Sequence, residues 1–268
     1  MYKYLADTDI RMYDIFNFIS ILALLVMNMA QLKKKSVFLS NSAEKFIRKH
    51  SSGEKKSIFS NRLFIAFIEM FMISLVQYGF VSILTTILGN WLETGKNYFG
   101  VLFVVPFILM AFFYIIGIAP LKQLDMITPA YAIALVFVKI ACFCCGCCNG
   151  IEYEGGLYNK TTELTEFPVQ LIEAGLGLII FIFILIYRKK AKEGTLLPIY
   201  IVLYSATRFF SEFLRHEENI LWILKTYHIL CIAGVILGVI ELWAVLKYGD
   251  RITKFYIEKE KRKKRIRF

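Results

Sequence analysis

The chain has 268 residues, of which 57% are hydrophobic and 16% aromatic, with a mean hydropathy of +0.58 and a formal net charge of +11. This composition is too apolar for a soluble domain of this size, and repeated apolar runs longer than about 18 residues indicate an integral membrane protein. Because the basic residues cluster at the ends of those runs, membrane orientation explains the positive charge, and we predict no nucleic-acid partner.

Seven apolar segments of about 18–26 residues are predicted to cross the membrane as helices. In chain order they are Ile15–Leu32, Leu63–Leu88, Tyr98–Ile118, Ile127–Gly146, Val169–Tyr187, Thr195–Leu214 and Tyr227–Leu246. The predicted fold is an all-α integral membrane protein with a seven-helix transmembrane domain over residues 1–246 and a basic cytoplasmic tail over 247–268. No small-residue cleavage site follows the first run, so we expect it to remain as an anchor.

The distribution of Lys and Arg predicts the orientation of the spans. Residues 33–62, 119–126, 188–192 and 247–268 contain 24 of the 32 basic residues, and they share one side if there are seven spans. Only six basic residues fall on the opposite side. Cytoplasmic segments are enriched in Lys and Arg, so the N-terminus is predicted outside and the C-terminus in the cytoplasm. The outer loop 148–167 carries four glutamates; covering the mouth of a site and lying as an ordinary solvated loop are equally good interpretations.

Two cations lie inside predicted spans, where charges are costly and point to function. Lys139 and Arg208 each stand about two turns before the outer end of a span, which predicts a similar depth. Two cations facing one cavity would suit a phosphate diester headgroup, and Arg offers a planar fork of donors. Glu212 follows Arg208 by four residues and could orient it. The alternative is a lysine that extends to the interface and a structural Arg208–Glu212 pair.

Further polar residues open the fifth and seventh spans. Gln170 and Glu173 follow Pro168, three residues apart on one helix face. They are predicted either to bind a headgroup or to cap the helix. His228 begins the seventh span, and a lone histidine in that position is more often structural than catalytic.

Five of the six cysteines lie within residues 142–148. They allow three interpretations: small packing residues at a close helix approach made possible by Gly146, a redox or disulfide cluster, or a soft metal site. Packing is favoured because adjacent cysteines pair poorly and neither a histidine nor a second cysteine pair follows at the wider spacing of metal sites. We therefore predict no metal and no cofactor.

Several segments together resemble the motifs of the prolipoprotein diacylglyceryl transferase family. Lys139–Gly146 resembles its Arg-x-Gly-Asn-Phe-x-Asn-Gly signature, with Phe143 and Gly146 in register. Pro168–Glu173 is similar to its Pro-Ser-Gln-Leu-Tyr-Glu motif, and Tyr204–Arg215 to its Tyr-Gly-x-x-Arg-Phe-x-x-Glu-Phe-x-Arg motif. Shorter likenesses stand at Asp125–Ala130 and at Arg11-Met12-Tyr13. The good match covers about Leu124 to Val245, under half of the chain.

This resemblance implies a transferase in the bacterial inner membrane that crosses the membrane several times. Such an enzyme, embedded in membrane lipids, moves a diacylglyceryl group from phosphatidylglycerol to the lipobox cysteine thiol of a prolipoprotein signal peptide, releasing glycerol phosphate. The resemblance implies catalytic roles for Arg208, Lys139 and Glu212. It implies substrate-binding roles for Gly146, Gln170, Glu173, Tyr204, Arg215 and Tyr13.

The chain also departs from the family pattern. Lys139 replaces an arginine, Cys142 and Cys145 replace asparagines, and Cys147 replaces an acidic residue. The family's His-Gly-Gly stretch is absent, because residues 98–117 contain no histidine. These departures leave two alternatives open. One is a divergent relative that binds lipid or transfers another group, and the other is a membrane thiol redox or metal protein that uses the cysteines of 142–148.

Overall fold

The computed structural model describes residues 119–216 and 224–265, with side chains to residue 255, and isolated helical positions at residues 15, 18, 19, 22, 26, 106–108, 110 and 111. Four helices and one hairpin make up the two described ranges. In chain order they are α1 (Pro120–Cys145), β1 (Glu152–Asn159), β2 (Leu164–Glu166), α2 (Val169–Tyr187), α3 (Leu196–Glu212) and α4 (Thr226–Arg265). Apart from the isolated positions, the first three predicted spans and Tyr13 lie outside the described residues.

Three helices in the described ranges are long and apolar enough to cross a membrane. They are Pro120–Cys145, Val169–Tyr187 and the Thr226–Phe255 part of α4. The fourth helix, α3, has 17 residues, a length of about 25 Å at 1.5 Å per residue. The prediction of a mostly helical membrane protein is confirmed, whereas the count of seven spans and the orientation of the termini stay predictions.

Helix α2 has the same bounds as the predicted fifth span, Val169–Tyr187. Several of its large apolar side chains point outward, among them Ile179 and Ile186, which are 64% and 67% exposed. Its polar side chains Gln170 and Glu173 are buried instead. Because apolar side chains are favourable and polar ones costly in contact with lipid, this helix places its polar groups against the protein interior.

Helix α4 extends beyond the predicted end of the seventh span. The prediction ended at Leu246, but the helix continues to Arg265. The added residues are rich in Lys, Arg and Glu, which form helices readily. The fall in hydropathy therefore ends the apolar segment without ending the helix, and the predicted basic tail begins as helix.

The described part of the chain is not entirely helical, because β1 and β2 form an antiparallel hairpin in the predicted outer loop. Tyr158 pairs with Thr165 and Asn159 pairs with Leu164. The prediction of an all-α protein is wrong for this segment. Its sequence is rich in Glu and Gly, which are depleted in strands, so local propensity does not reveal it.

The chain divides into two compact units. The first contains Met1–Leu24, Thr128–Lys190 and Pro198–Ile240, and the second contains Leu25–Ile127, Ala191–Leu197 and Glu241–Phe268. Within the first unit, Gly177 of α2 lies against Val136 of α1, where an added Cβ would be 3.3 Å from the valine methyl group. A small residue at this position therefore lets the two helices approach closely.

Within the second unit, Asp125 caps the start of α3. Its Oδ1 accepts a hydrogen bond from the backbone N–H of Leu196 at 2.9 Å, and its Oδ2 accepts one from Gly194. The first N–H groups of a helix have no partner inside the helix, and a carboxylate there also faces the positive end of the helix dipole. Asp125 therefore supplies a cap from a distant part of the sequence.

Replacement of Asp125 by Ala is expected to destabilise the protein by about 1–2 kcal/mol, because the start of α3 loses its acceptor. Thermal unfolding of the purified protein in detergent measures this as a drop of a few degrees. Asp250→Ala is the control, since Asp250 is exposed on α4. Equal unfolding temperatures for the two variants would show that the cap does not stabilise α3.

Candidate functional site

Glu173 is the central carboxylate of a buried group of charged side chains. Its Oε2 lies 2.7 Å from Lys139 Nζ and accepts a hydrogen bond from Arg215 Nη2 at 2.9 Å. Its Oε1 accepts hydrogen bonds from Arg208 Nη1 and from the hydroxyl of Ser211, the latter at 2.9 Å. Helix α1, helix α3 and the segment directly after α3 thus each contribute one cation to one carboxylate on α2.

Arg208 on α3 joins two carboxylates. It pairs with Glu173 on α2 and, one turn along its own helix, with Glu212. Its guanidinium carbon also lies 5.5 Å from the centre of the Tyr227 ring, a cation–π contact from the start of α4. Both Arg208 and Glu212 are buried, so this charge is held in a fixed position by partners on three helices.

Arg215 reaches Glu173 because the chain after α3 pairs with the turn after α1. Gly150 and Arg215 form an isolated antiparallel bridge, in which Ile151 N–H donates to the carbonyl of Leu214 at 3.0 Å. Lys225 supports the same segment, since its ammonium donates to the carbonyls of Glu212 and Arg215. A cation that binds the last carbonyls of a helix is a favourable cap, so the end of α3 is doubly held.

We call Glu173, Glu212, Lys139, Arg208 and Arg215 the Glu173 cluster. Its three cations and two carboxylates give a formal net charge of +1, and the nearby buried Lys225 adds another positive charge. Burying charges is costly unless they are paired, and here every member contacts a charge of opposite sign. The excess of positive charge is what a bound monoanion would neutralise.

A small cavity opens beside the cluster. Lys139, Glu173, Arg208 and Ser211 line its polar side, and its apolar side includes Leu135 and Tyr204. Its interior has room for about one water molecule. A larger anion therefore has to take over contacts that Glu173 now makes with the cations.

Gly146 lies in the turn that follows α1, and Gln170, in the first turn of α2, contacts that turn. Gly146 has φ +67°, and its N–H and that of Cys147 bond to the carbonyls of Phe143 and Cys142 in the Schellman arrangement that ends helices. The Gln170 amide donates to the carbonyl of Cys147 at 2.8 Å. Gly146 and Gln170 therefore shape this turn, and their contact with substrate stays a prediction.

Asn159 ties the hairpin to this turn. Its side-chain amide donates to the carbonyl of Gly146 at 3.2 Å and to Glu166 Oε2 at 3.2 Å. Its Oδ1 accepts from the backbone N–H of Thr161 at 3.0 Å. A Cβ on Gly146 would come within 2.5 Å of this Oδ1, so both the left-handed backbone and the close approach require glycine.

Replacing Asn159 with Ala is expected to detach the hairpin from the α1 turn, because a fully buried amide and its hydrogen bonds are lost. Limited proteolysis should then cut residues 150–167 about 5- to 150-fold faster, from a loss of about 1–3 kcal/mol of local stability. Lys160→Ala, next to it but exposed, is the control. Unchanged cleavage in Asn159→Ala would show that other contacts hold the hairpin.

Three cysteine thiols meet at the same turn. Cys142 is buried in the last turn of α1, and Cys147 and Cys148 follow it; their sulfur atoms all lie within 4.8 Å of one another. Hydrogen bonds from the Cys142 and Cys147 thiols, and the charges of Arg215 and Lys139, hold the pKa of Cys148 well below its usual range. Cys148 also has φ +63°, which is uncommon for a residue with a side chain.

The structure brings together most of the residues that the sequence analysis selected. Lys139 and Arg208 reach the same carboxylate, as their predicted common depth requires, and Arg208 pairs with Glu212 as their spacing predicts. Tyr204 lines the cavity, and Tyr13 lies outside the described residues. The sequence analysis missed Ser211 and Lys225. Ser211 follows Arg208 by three residues, and this spacing predicts that the two side chains share a helix face.

His228 contacts the backbone and aromatic side chains of its neighbours. Its Nδ1 accepts a hydrogen bond from the backbone N–H of Lys225 at 3.0 Å, and its ring packs on Phe209 and Phe213. This agrees with the expectation that a lone histidine here supports the fold.

Comparison with known proteins gives concordant matches. The sequence model of the family described as "Prolipoprotein diacylglyceryl transferase" matches residues 2–244. A Clostridium tetani (strain Massachusetts / E88) protein named "Phosphatidylglycerol--prolipoprotein diacylglyceryl transferase" is 28% identical over 128 residues, covering 44% of this chain and 51% of that protein. A Clostridium perfringens (strain 13 / Type A) protein of the same name, numbered 2, is 30% identical over 140 residues, or 49% and 54% of the two chains. The chain thus spans about half the length of these curated relatives.

Proposed function

Because the chain belongs to the prolipoprotein diacylglyceryl transferase family, we propose that it transfers a diacylglyceryl group from phosphatidylglycerol to the lipobox cysteine of a prolipoprotein. The proposal extends to a location in the bacterial cytoplasmic membrane. It also includes seven spans, an outer N-terminus and an inner C-terminus, as the apolar runs and the basic segments predict.

The observation that carries the proposal is the buried positive charge of the Glu173 cluster. Phosphatidylglycerol has one negative charge on its phosphate diester, which matches the formal excess of +1 in the cluster. Arg208 offers several N–H donors in one plane, and Lys139 offers a compact ammonium beside it. An anion bound between them would be neutralised in a setting where unpaired charge is costly.

The same cations suit the chemistry of the transfer. The acceptor thiol loses its proton, and its sulfur attacks the glycerol carbon of the diacylglyceryl group that carries the phosphate. A C–S bond forms, the C–O bond breaks, and the electron pair leaves with glycerol phosphate. Negative charge grows on the leaving phosphate, so Lys139 and Arg208 stabilise it most as the bond breaks.

Glu173 and Glu212 position these cations. Glu173 lies between Lys139, Arg208 and Arg215 and offsets their mutual repulsion. Since the cavity is small, an arriving phosphate displaces Glu173 from part of these contacts. Glu212 remains on Arg208 throughout and keeps its guanidinium oriented.

The test is a transfer assay with the purified protein. It is supplied with phosphatidylglycerol vesicles and a lipobox peptide, and the peptide is analysed by mass spectrometry for a diacylglyceryl adduct on its cysteine. The expected result is an adduct with the cysteine peptide and none with a serine peptide or with vesicles of phosphatidylcholine alone. A folded protein that forms no adduct under these conditions would contradict the proposal.

A second function is favoured by one observation, the absence of histidine from residues 98–117. The chain would then be a relative that binds an anionic lipid in the Glu173 cluster without transferring its diacylglyceryl group. Binding of phosphatidylglycerol that is weakened by Arg208→Ala, together with no adduct on the peptide, is the outcome that selects this function.

A further inference from the structure

The thiols of Cys142, Cys147 and Cys148, here called the cysteine triad, lie close to one another without a disulfide bond. They come from two sides of a chain reversal, since Cys142 lies in the last turn of α1 and the other two follow Gly146. From the sequence alone a metal site is disfavoured, because the cysteines are close neighbours in one segment. The fold changes this, because the Schellman turn brings Cys142 back onto Cys147 and Cys148.

We propose that the cysteine triad binds one thiophilic metal ion of the Zn²⁺ class, and that the open fourth position takes a substrate thiol. Zinc binds thiolates at about 2.3 Å in tetrahedral geometry, which places ligand sulfurs about 3.8 Å apart. The three sulfur atoms are already within 4.8 Å of one another, so small side-chain rotations bring them onto one ion. Soft thiolates select zinc or copper(I) over magnesium or calcium.

The residues around the cysteine triad hold its backbone in a defined conformation, as expected for a ligand-binding site. Two left-handed residues, Gly146 and Cys148, shape the turn that carries it, and the strain at Cys148 needs support from its neighbours. Gln170 supplies such support by its hydrogen bond to the carbonyl of Cys147. Hydrogen bonds around metal ligands of this kind orient the ligands and raise affinity.

Charge also favours the ion. Three thiolates and one divalent cation leave a net charge of −1, and the positive charges of Arg215 and Lys139 act on Cys148 from beside it. Both residues belong to the Glu173 cluster, so the metal would adjoin the cations proposed to hold the phosphate. The two proposed sites thereby place a thiol and a phosphate ester in one region.

The proposal of an open coordination position extends the proposed function and depends on it. Structural zinc sites have four protein ligands, whereas sites with three keep one position for water or substrate. An acceptor thiol that binds there gives up its proton to solvent and becomes a metal-bound thiolate. The metal would then do what the missing histidine of residues 98–117 is expected to do, and Cys147, which is exposed, marks the side from which the thiol enters.

Metal binding is tested on the full chain, purified in detergent without oxygen, reduced with a phosphine and stripped with a chelator. Titration with Co²⁺ or Zn²⁺ alone should give about one bound ion per chain, and Co²⁺ should show thiolate charge-transfer bands. Cys142→Ser, Cys147→Ser and Cys148→Ser should each weaken binding at least about tenfold. Cys144→Ser is the matched control and should bind as the unaltered protein does, because Cys144 is outside the triad.

The open position is tested by adding lipobox peptide to the Co²⁺ form. The cysteine peptide should shift the cobalt bands, and the serine peptide should not. No metal binding by reduced, folded protein would overturn the proposal, and so would binding that survives all three triad variants. Cys147→Ser keeps the test decisive if Cys142→Ser fails to fold, since Cys147 is exposed. Metal binding without transfer refutes only the proposed function, and transfer by metal-free protein refutes only this inference.

Discussion

Replacing Glu173 with Gln is expected to lower the rate of diacylglyceryl transfer by at least about 100-fold. The change keeps the shape of the side chain but removes the charge that Lys139, Arg208 and Arg215 share. Removing one partner from a buried ion pair costs about 3–5 kcal/mol, because the remaining charges stay buried without compensation. The three cations would then repel one another and lose the arrangement that binds phosphate. Initial rates with phosphatidylglycerol vesicles and the lipobox peptide measure the effect.

Glu241→Gln is the matched control for this experiment. Glu241 also lies in an apolar helix, but in the described part of the chain it has no ion-pair partner. Its replacement should leave the rate within about twofold of the unaltered protein. Thermal unfolding of both variants separates loss of structure from loss of activity. A Glu173→Gln protein that transfers at the normal rate would show that the shared carboxylate does not organise the site.

Replacing Arg208 with Ala is expected to abolish measurable transfer, and Arg208→Lys is expected to restore little of it. Arg208 contacts carboxylates on two helices and the face of Tyr227, which requires a planar group with several donors. A lysine keeps the charge, but its single ammonium cannot hold both Glu173 and Glu212 and still present donors to phosphate. Loss of one charge-assisted contact to a leaving group costs about 3–4 kcal/mol, or a factor of about 100–1,000 in rate.

Arg251→Ala, a substitution at an exposed position on α4, is the control for the loss of a positive charge as such.

The kinetic constants of Arg208→Lys separate an effect on lipid binding from an effect on the chemical step. If Arg208 acts mainly on the leaving phosphate, kcat falls more than KM rises in Arg208→Lys. A change confined to KM would instead assign Arg208 to binding of the headgroup in its ground state. Full activity in Arg208→Ala would exclude the Glu173 cluster as the phosphate site.

Much of the site follows from local sequence patterns. The pair of Arg208 and Glu212 follows from a spacing of four residues on one helix, which the structure confirms. The bounds of α2 follow from an apolar run that begins after Pro168. Counting helix turns back from the outer ends of their spans predicts a similar depth for Lys139 and Arg208, and both side chains reach Glu173.

Other features depend on contacts between distant segments, and no local pattern encodes them. The three cations on Glu173 come from positions 34, 35 and 42 residues away in the sequence, and only the packing of the helices brings them together. The cysteine triad depends on a reversal at Gly146, so a list of cysteine spacings misleads about which sulfurs meet. The buried side chain of Asn159 ties the hairpin to the turn after α1, and the Glu- and Gly-rich sequence of β1 does not reveal the hairpin.

The most direct test of the central claim is to measure both products of one reaction. Purified protein is incubated with phosphatidylglycerol and lipobox peptide, and the glycerol phosphate released is compared with the peptide that carries a diacylglyceryl group. The account predicts equal amounts of the two products, both lost together in Arg208→Ala. Glycerol phosphate released without modified peptide would contradict transfer to a thiol and indicate cleavage of the lipid by water. If a folded protein yields neither product, the Glu173 cluster does not have the function proposed for it.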